Sequence, residues 1–181
     1  MTTRGQKACL VIDHLVEALA GDPSCAIRRA QILNDIDRYP GTTQTEVMQR
    51  LNVNKSAMNR EIEWLFNYGC IVRQGSEADG RAVRLETAGY SKRALEAALD
   101  YFPKKHEGLH LLLNEYIKIL EQERPTLRDA RIIATLYDKG KATKAEVLES
   151  LYSGPATTDN RAYNKLVEDG VINDDGKSSN S

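Results

Sequence analysis

The sequence predicts a mainly α-helical protein with one small β-hairpin. Three observations carry this: apolar residues recur at three- and four-residue spacing along most of the chain, aromatic residues make up only 6%, and the apolar period falls to two at a single place. A first helix is expected over residues 6–20, with Val11, Leu15, Ala18 and Leu19 on one stripe, stopped by Gly21-Asp22-Pro23. A second is expected over 24–38, ahead of Tyr39-Pro40-Gly41. Thr42 or Thr43 then offers an N-cap oxygen, and Glu46, three residues after Thr43, can close a capping box for a short helix ending at Leu51. Asn54 or Ser56 caps the next helix, which runs to Asn67 and terminates at Gly69.

The period-two stretches 70–73 and 82–85 flank a polar insert, Gly75 to Gly80, and read as a β-hairpin. Thr87 is expected to cap a helix reaching Phe102, and Pro103 interrupts it. Residues 105–123 form a long amphipathic helix with Leu109, Leu112, Leu113, Tyr116 and Leu120 at its intervals. Pro125 is the expected boundary, giving a domain over 1–102, a connecting helix over 103–124, a second unit over 125–173 and a disordered polar tail over 174–181.

The second unit repeats the first. At an offset of 100, Ala30-Gln31-Ile32-Leu33 falls on Ala130-Arg131-Ile132-Ile133, and Glu46-Val47-Met48 with Leu51 falls on Glu146-Val147-Leu148 with Leu151. With one further residue inserted, Arg60, Leu65, Gly69 and Ile71 match Arg161, Leu166, Gly170 and Ile172. Two copies imply two units of one kind and not a solenoid, which needs at least three repeats. The tail after Ile172 is too polar and small for a second hairpin, so the second unit is expected to be wingless.

Composition narrows function mainly by exclusion. The 181 residues hold 25 Lys+Arg against 26 Asp+Glu, so bulk charge names no partner. No apolar stretch has membrane-span length, and the N-terminal run is broken by Asp13, His14 and Glu17, so neither an anchor nor a signal peptide is expected. Cys9, Cys25 and Cys70 form no CxxC pair, which fits a reducing cytoplasm, and Cys70 is expected to be an inert buried thiol. His106 and His110 share a helix face but lack ligand partners at motif spacing, so no metal or other cofactor is expected. No phosphate loop, nucleophile elbow or metalloprotease helix marks an enzyme.

Helix, tight turn, helix, glycine turn and hairpin within about 60 residues make a winged helix-turn-helix, whose second helix can enter a major groove. That helix is residues 54–65, with Ala57, Met58, Ile62, Leu65 and Phe66 inward and Lys55, Ser56, Asn59, Arg60 and Glu63 outward. Asn suits adenine and Arg suits guanine, while Ser and Lys suit phosphates, and Glu61 and Glu63 should be held away from the duplex. Ser56, Asn59 and Arg60 are therefore the expected base readers. Lys55, Arg73 and Arg84 are the phosphate clamps, and Thr43, Gln44 and Asn54 complete the contact set. Residues 72–93 carry five basic side chains against three acidic, which suits a phosphate backbone. Residues 126–181 carry eight against nine, so the second unit is not expected to bind DNA unaided, although Lys139, Lys141 and Lys144 could touch a backbone.

The hairpin segment Asp79-Gly80-Arg81, followed by Leu85-Glu86-Thr87-Ala88-Gly89, resembles the wing of the MarR family of bacterial transcriptional regulators. The similarity reaches back through Thr45-Glu46-Val47, residues 51–56 and residues 65–73, and covers roughly 25–100. It implies that Asp79 orients Arg81 and that Arg81 reaches the minor groove. It also implies dimerisation through terminal helices, for which Val11, Leu15, Leu109, Leu112, Tyr116 and Leu120 are the candidates. The same stripes could instead pack on their own chain. The hairpin is shorter than usual in that family, Glu86 separates Leu85 from Thr87, and the unit from Thr126 has no counterpart there.

The expected function is sequence-specific binding of double-stranded DNA by a cytoplasmic, nucleoid-associated transcriptional repressor acting as a homodimer, with a possible protein partner on the C-terminal unit. The alternatives are a tandem winged-helix replication or partition protein of a mobile element and a winged-helix protein-interaction module.

Overall fold

A threonine starts each of four helices through a reciprocal capping box. In the computed structural model, which describes residues 2–75, 82–152 and 156–173, these are α1 (Arg4–Ala18, capped by Thr3), α3 (Gln44–Leu51, Thr43), α7 (Leu127–Lys139, Thr126) and α8 (Lys144–Glu149, Thr143). Between and after them lie α2 (Ile27–Arg38), α4 (Lys55–Asn67), α5 (Gly89–Leu99), α6 (Lys105–Leu120) and α9 (Ala156–Glu168). Strands β1 (Thr42–Thr43), β2 (Ile71–Gln74) and β3 (Arg84–Thr87) form one antiparallel sheet in the order β1-β3-β2. Its register pairs Thr42 with Leu85 and Arg73 with Leu85 from the other side. The architecture is a winged helix-turn-helix with further helices before and after it.

The hairpin departs from the periodicity at both strands. The ladder runs to Thr87 opposite Ile71, and the Ala88 N–H donates to the Cys70 carbonyl. Thr87 is thereby committed to the sheet, and α5 starts at Ala88 without the side-chain cap expected from Thr87. Phe66, assigned inward by its spacing, is 41% exposed, because its ring is the surface on which the Arg73 guanidinium lies, 4.2 Å from the centroid.

The repeat is visible in the backbone as an exchange. Ala26 and Thr126, 100 residues apart, form an antiparallel bridge. Ile27 N–H donates to the Pro125 carbonyl at 2.9 Å, and Leu127 N–H donates to the Cys25 carbonyl, also at 2.9 Å. Each bond maps onto the other when the two repeats are swapped, which defines an approximate local two-fold axis through the bridge. The helix preceding each repeat crosses that axis: α1 packs along α7, and α6 packs along α2. Equivalent polar contacts fix both crossings. Gln31 on α2 donates to Asn114 on α6 at 2.7 Å, and Arg131 on α7 donates to Asp13 on α1 at 3.0 Å. α6 ends at Leu120, three residues before the expected Glu123, and the left-handed Glu121 that follows lets the chain turn into the bridge.

One buried cluster consequently runs through both repeats, from Ile12 and Leu15 of α1 to Ile132 and Leu136 of α7 and Leu166 of α9. Val11, Leu15, Leu109, Tyr116 and Leu120, the candidates for a contact between two chains, are buried within this one, and Leu112 is partly buried against the same cluster. These stripes cover the chain's own helices, since α2 and α7 present more apolar surface than their own units can cover. No helix among the described residues is long and apolar enough to cross a membrane.

The crossing of α1 and α7 is close at Gly5. A Cβ there would stand 2.5 Å from the backbone nitrogen of Asp138 and 2.6 Å from its Cα. Gly5→Ala is expected to destabilise the chain by about 1–3 kcal/mol through overpacking, read as a lower midpoint in urea unfolding. An unchanged midpoint would refute this close approach.

Candidate nucleic-acid interface

The turn between α3 and α4 is set by Asn52, whose left-handed backbone (φ 52°, ψ 50°) ends α3, a conformation that asparagine tolerates better than most side chains. Asn54 then caps α4, its Oδ1 accepting from the Ala57 N–H at 2.8 Å. Ala57, Met58, Ile62 and Leu65 are buried, so Lys55, Ser56, Asn59, Arg60 and Glu63 all stand exposed on the opposite face. Gln44, at the start of α3, donates to Asn59 Oδ1 and orients that amide. The Thr43 hydroxyl is engaged in its own capping box, and its hydrogen bonds hold the Glu46 carboxyl below the usual carboxylate range.

Glu61 is the centre of this unit's electrostatics. It is 1% exposed, accepts from Arg29 Nε at 2.6 Å and from Arg124 at 3.4 Å, and has Arg60 Nε at 3.6 Å. Arg29 also lies over Trp64, 4.0 Å from the ring, and Trp64 stacks on Tyr68 at 4.3 Å. A charge this deep requires paired, hydrogen-bonded partners. Its withdrawal leaves the exposed end of α4 to Lys55, Ser56, Asn59 and Arg60.

Glu63 is exposed but paired with Arg73 at 2.6 Å. Arg73 is thus held by Glu63 and Phe66 and is a less available phosphate clamp than its sequence position suggested. Arg84 is exposed and donates to the Gly41 carbonyl at 2.9 Å. Together Thr43, Gln44, Asn59, Glu63, Arg73 and Val83 line a cleft of about 780 Å³ between α4 and the sheet. Asp79 and Arg81 lie outside the described residues.

Arg28 and Arg124 are further basic residues at the site that no sequence motif marks. With Asn54, Ser56 and Arg60 they line a second cleft of about 770 Å³ at the start of α4, where Glu123 is also present. Arg28 could have been found through the repeat, since Arg128 occupies the same place 100 residues on. Arg124 is brought there only by the bridge.

Helix, αL turn, exposed helix and three-stranded sheet stand together within residues 27–87. Residues 28–88 match the family model of the winged helix DNA-binding domain. The match covers about a third of the chain, from the first turn of α2 to the residue after β3. No curated protein and no solved structure matches the chain. The helices that cross the local two-fold, α1 and α6, flank this winged-helix region on either side.

The histidines and cysteines are engaged elsewhere. His106 Nε2 is 2.8 Å from Asp37, and His110 bonds Asn114 at 3.0 Å. Cys9, Cys25 and Cys70 are buried, and burial raises each thiol's pKa, that of Cys25 to about 11. A raised pKa keeps them as unreactive thiols at neutral pH. All three are expected to resist alkylation at pH 8 in the folded chain and to react once it is denatured; rapid native labelling of Cys70 would instead mark a reactive thiol. Glu61→Gln, which strands the Arg29 charge, is expected to cost about 3 kcal/mol in chemical denaturation. A loss of only a few tenths would show that the pair does not anchor α4.

Proposed function

We propose that the chain is a sequence-specific duplex-DNA-binding regulator of transcription, acting as a repressor by occupying its site. The observation that carries this is the exposed face of α4. In a region that matches the winged helix DNA-binding domain, Lys55, Ser56, Asn59 and Arg60 are presented together, while the helix's two carboxylates are buried or paired.

In this reading α4 lies in the major groove by its N-terminal end. Arg60 and Asn59 form paired hydrogen bonds with purine edges, Ser56 completes the readout, and Lys55 and Arg84 bind phosphates. Asn59 enters already oriented by Gln44, which reduces the side-chain freedom lost on binding. Thr43, Gln44 and Asn54 border the phosphate backbone, and Arg28 and Arg124 add positive charge beside it. Arg81 extends the contact to the minor groove by its resemblance to the MarR wing. Arg73 contributes when its pairing with Glu63 exchanges for a phosphate. The stripes expected to join two chains lie in the chain's own core, so the reading does not rest on a second chain.

Selection from a random duplex pool at near-physiological salt tests the proposal, and enrichment of one motif is the expected result. Arg60→Ala should then cost roughly 1–3 kcal/mol and relax preference at one position, whereas Lys55→Ala should weaken all duplexes alike and lower the salt dependence by about one phosphate contact. Wild-type binding by both variants would sink the groove assignment.

A further inference from the structure

In the repeat α9 corresponds to α4, and the two helices carry related side chains. At the offset of 101 that relates them, Ser56, Asn59 and Arg60 fall on Thr157, Asn160 and Arg161. Thr157 and Arg161 are exposed, whereas Asn160 is partly buried and its side-chain oxygen is shielded from solvent. The helix preceding each also donates to it, though at different positions: Gln44 donates to Asn59 on α4, and Lys144, its equivalent, donates at 2.8 Å to Asn164 on α9, which falls on Glu63.

Of the acidic residues that weigh against α9 in the sequence, Asp159 lies off this face. Asp159 is buried and accepts from Arg128 Nε at 2.8 Å, a pair at different repeat positions from Arg29–Glu61 that likewise ties a helix to the first helix of its unit. Glu168, seven residues on, is exposed on the same face as Arg161 but about 10 Å further along the helix axis, and Asp169 follows the end of α9. Lys139 and Lys141 stand exposed in the preceding turn. Arg128, which holds Asp159, also donates to Ser24 across the axis at 2.6 Å, so α9 is anchored to the bridge that relates the two units.

We propose that α9 is a second DNA-reading helix, and that one chain covers both halves of an imperfect inverted repeat. This rests on the reading of α4 as a groove helix. Duplex DNA is the partner that the residues fit, because the face repeated is the one with hydrogen-bonding side chains for base edges. The two halves are unequal: among the described residues the wing strands follow only α4, so its half-site is the stronger. The α9 half is weak alone and is engaged because α4 holds it at high local concentration. The pairing that helix-turn-helix proteins ordinarily obtain from a second subunit is here internal.

The test uses the full chain and its selected duplex, with the mass of the complex determined by light scattering and contacts mapped by hydroxyl-radical footprinting. The expected result is one chain per duplex, protecting two stretches of related but unequal sequence. Arg161→Ala should abolish protection of one stretch only and weaken binding by about tenfold. Thr157→Glu, which places a carboxylate on the same exposed face, should do the same. Wild-type footprints for both variants alongside weakened binding by Arg60→Ala, or two chains per duplex, would overturn the second head and leave the α4 reading intact. Failure of any sequence to enrich would remove both.

Discussion

The exchange of α1 and α6 across the local two-fold is the constraint on which the rest of the structure depends. In α2 every residue except Arg28, Gln31 and Arg38 is buried, and α7 is buried along most of its length. A three-helix unit with a small sheet cannot cover a helix on so many sides. Each repeat supplies the missing cover to the other, with Gln31–Asn114 and Arg131–Asp13 setting the register of the two crossings. The crossings are mainly dispersion and apolar burial, which lack direction, so these few polar contacts and the close approach at Gly5 supply the specificity.

The same organisation sets the electrostatics of the exposed face. Glu61 is sequestered by Arg29 from its own unit and by Arg124 from the far end of the bridge, so the anion is neutralised from both sides of the local axis. Asp159 is neutralised by Arg128, whose other partner is Ser24 in the first repeat. A carboxylate left on either helix face would repel a phosphate backbone. Burial of Glu61 and Asp159 beneath arginines anchors each helix and removes one carboxylate from its surface.

Several parts of the site were legible because they depend on neighbours in sequence. The outward set on α4 follows from spacing, since a helix places residues three and four apart on one face, and spacing narrows the caps to Thr42 or Thr43 and Asn54 or Ser56, of which Thr43 and Asn54 are used. Thr87 misled because its capping chemistry is also compatible with a strand, and pairing with Ile71 decided between them. Phe66 misled because helical spacing reports which residues share a face and not where the core ends; Arg73, on another element, gives its ring a partner at the surface. Arg124 was invisible as a site residue because nothing local connects it to Glu61, 63 positions earlier.

Most of the helices, the Thr43 and Asn54 caps, the hairpin and the repeat are readable from local hydrogen bonds and side-chain periods, whereas the start of α5 is not, because Thr87 pairs in the sheet. The tertiary structure alone decided that the two repeats pair across the Ala26–Thr126 bridge and exchange their leading helices. An amphipathic stripe such as Leu109, Tyr116 and Leu120 specifies that an apolar face must be covered, and it is equally satisfied by a second chain or by the same one. The hydrophobic effect carries no address, so the choice was made by chain connectivity, close packing and the few polar pairs that fit only one arrangement.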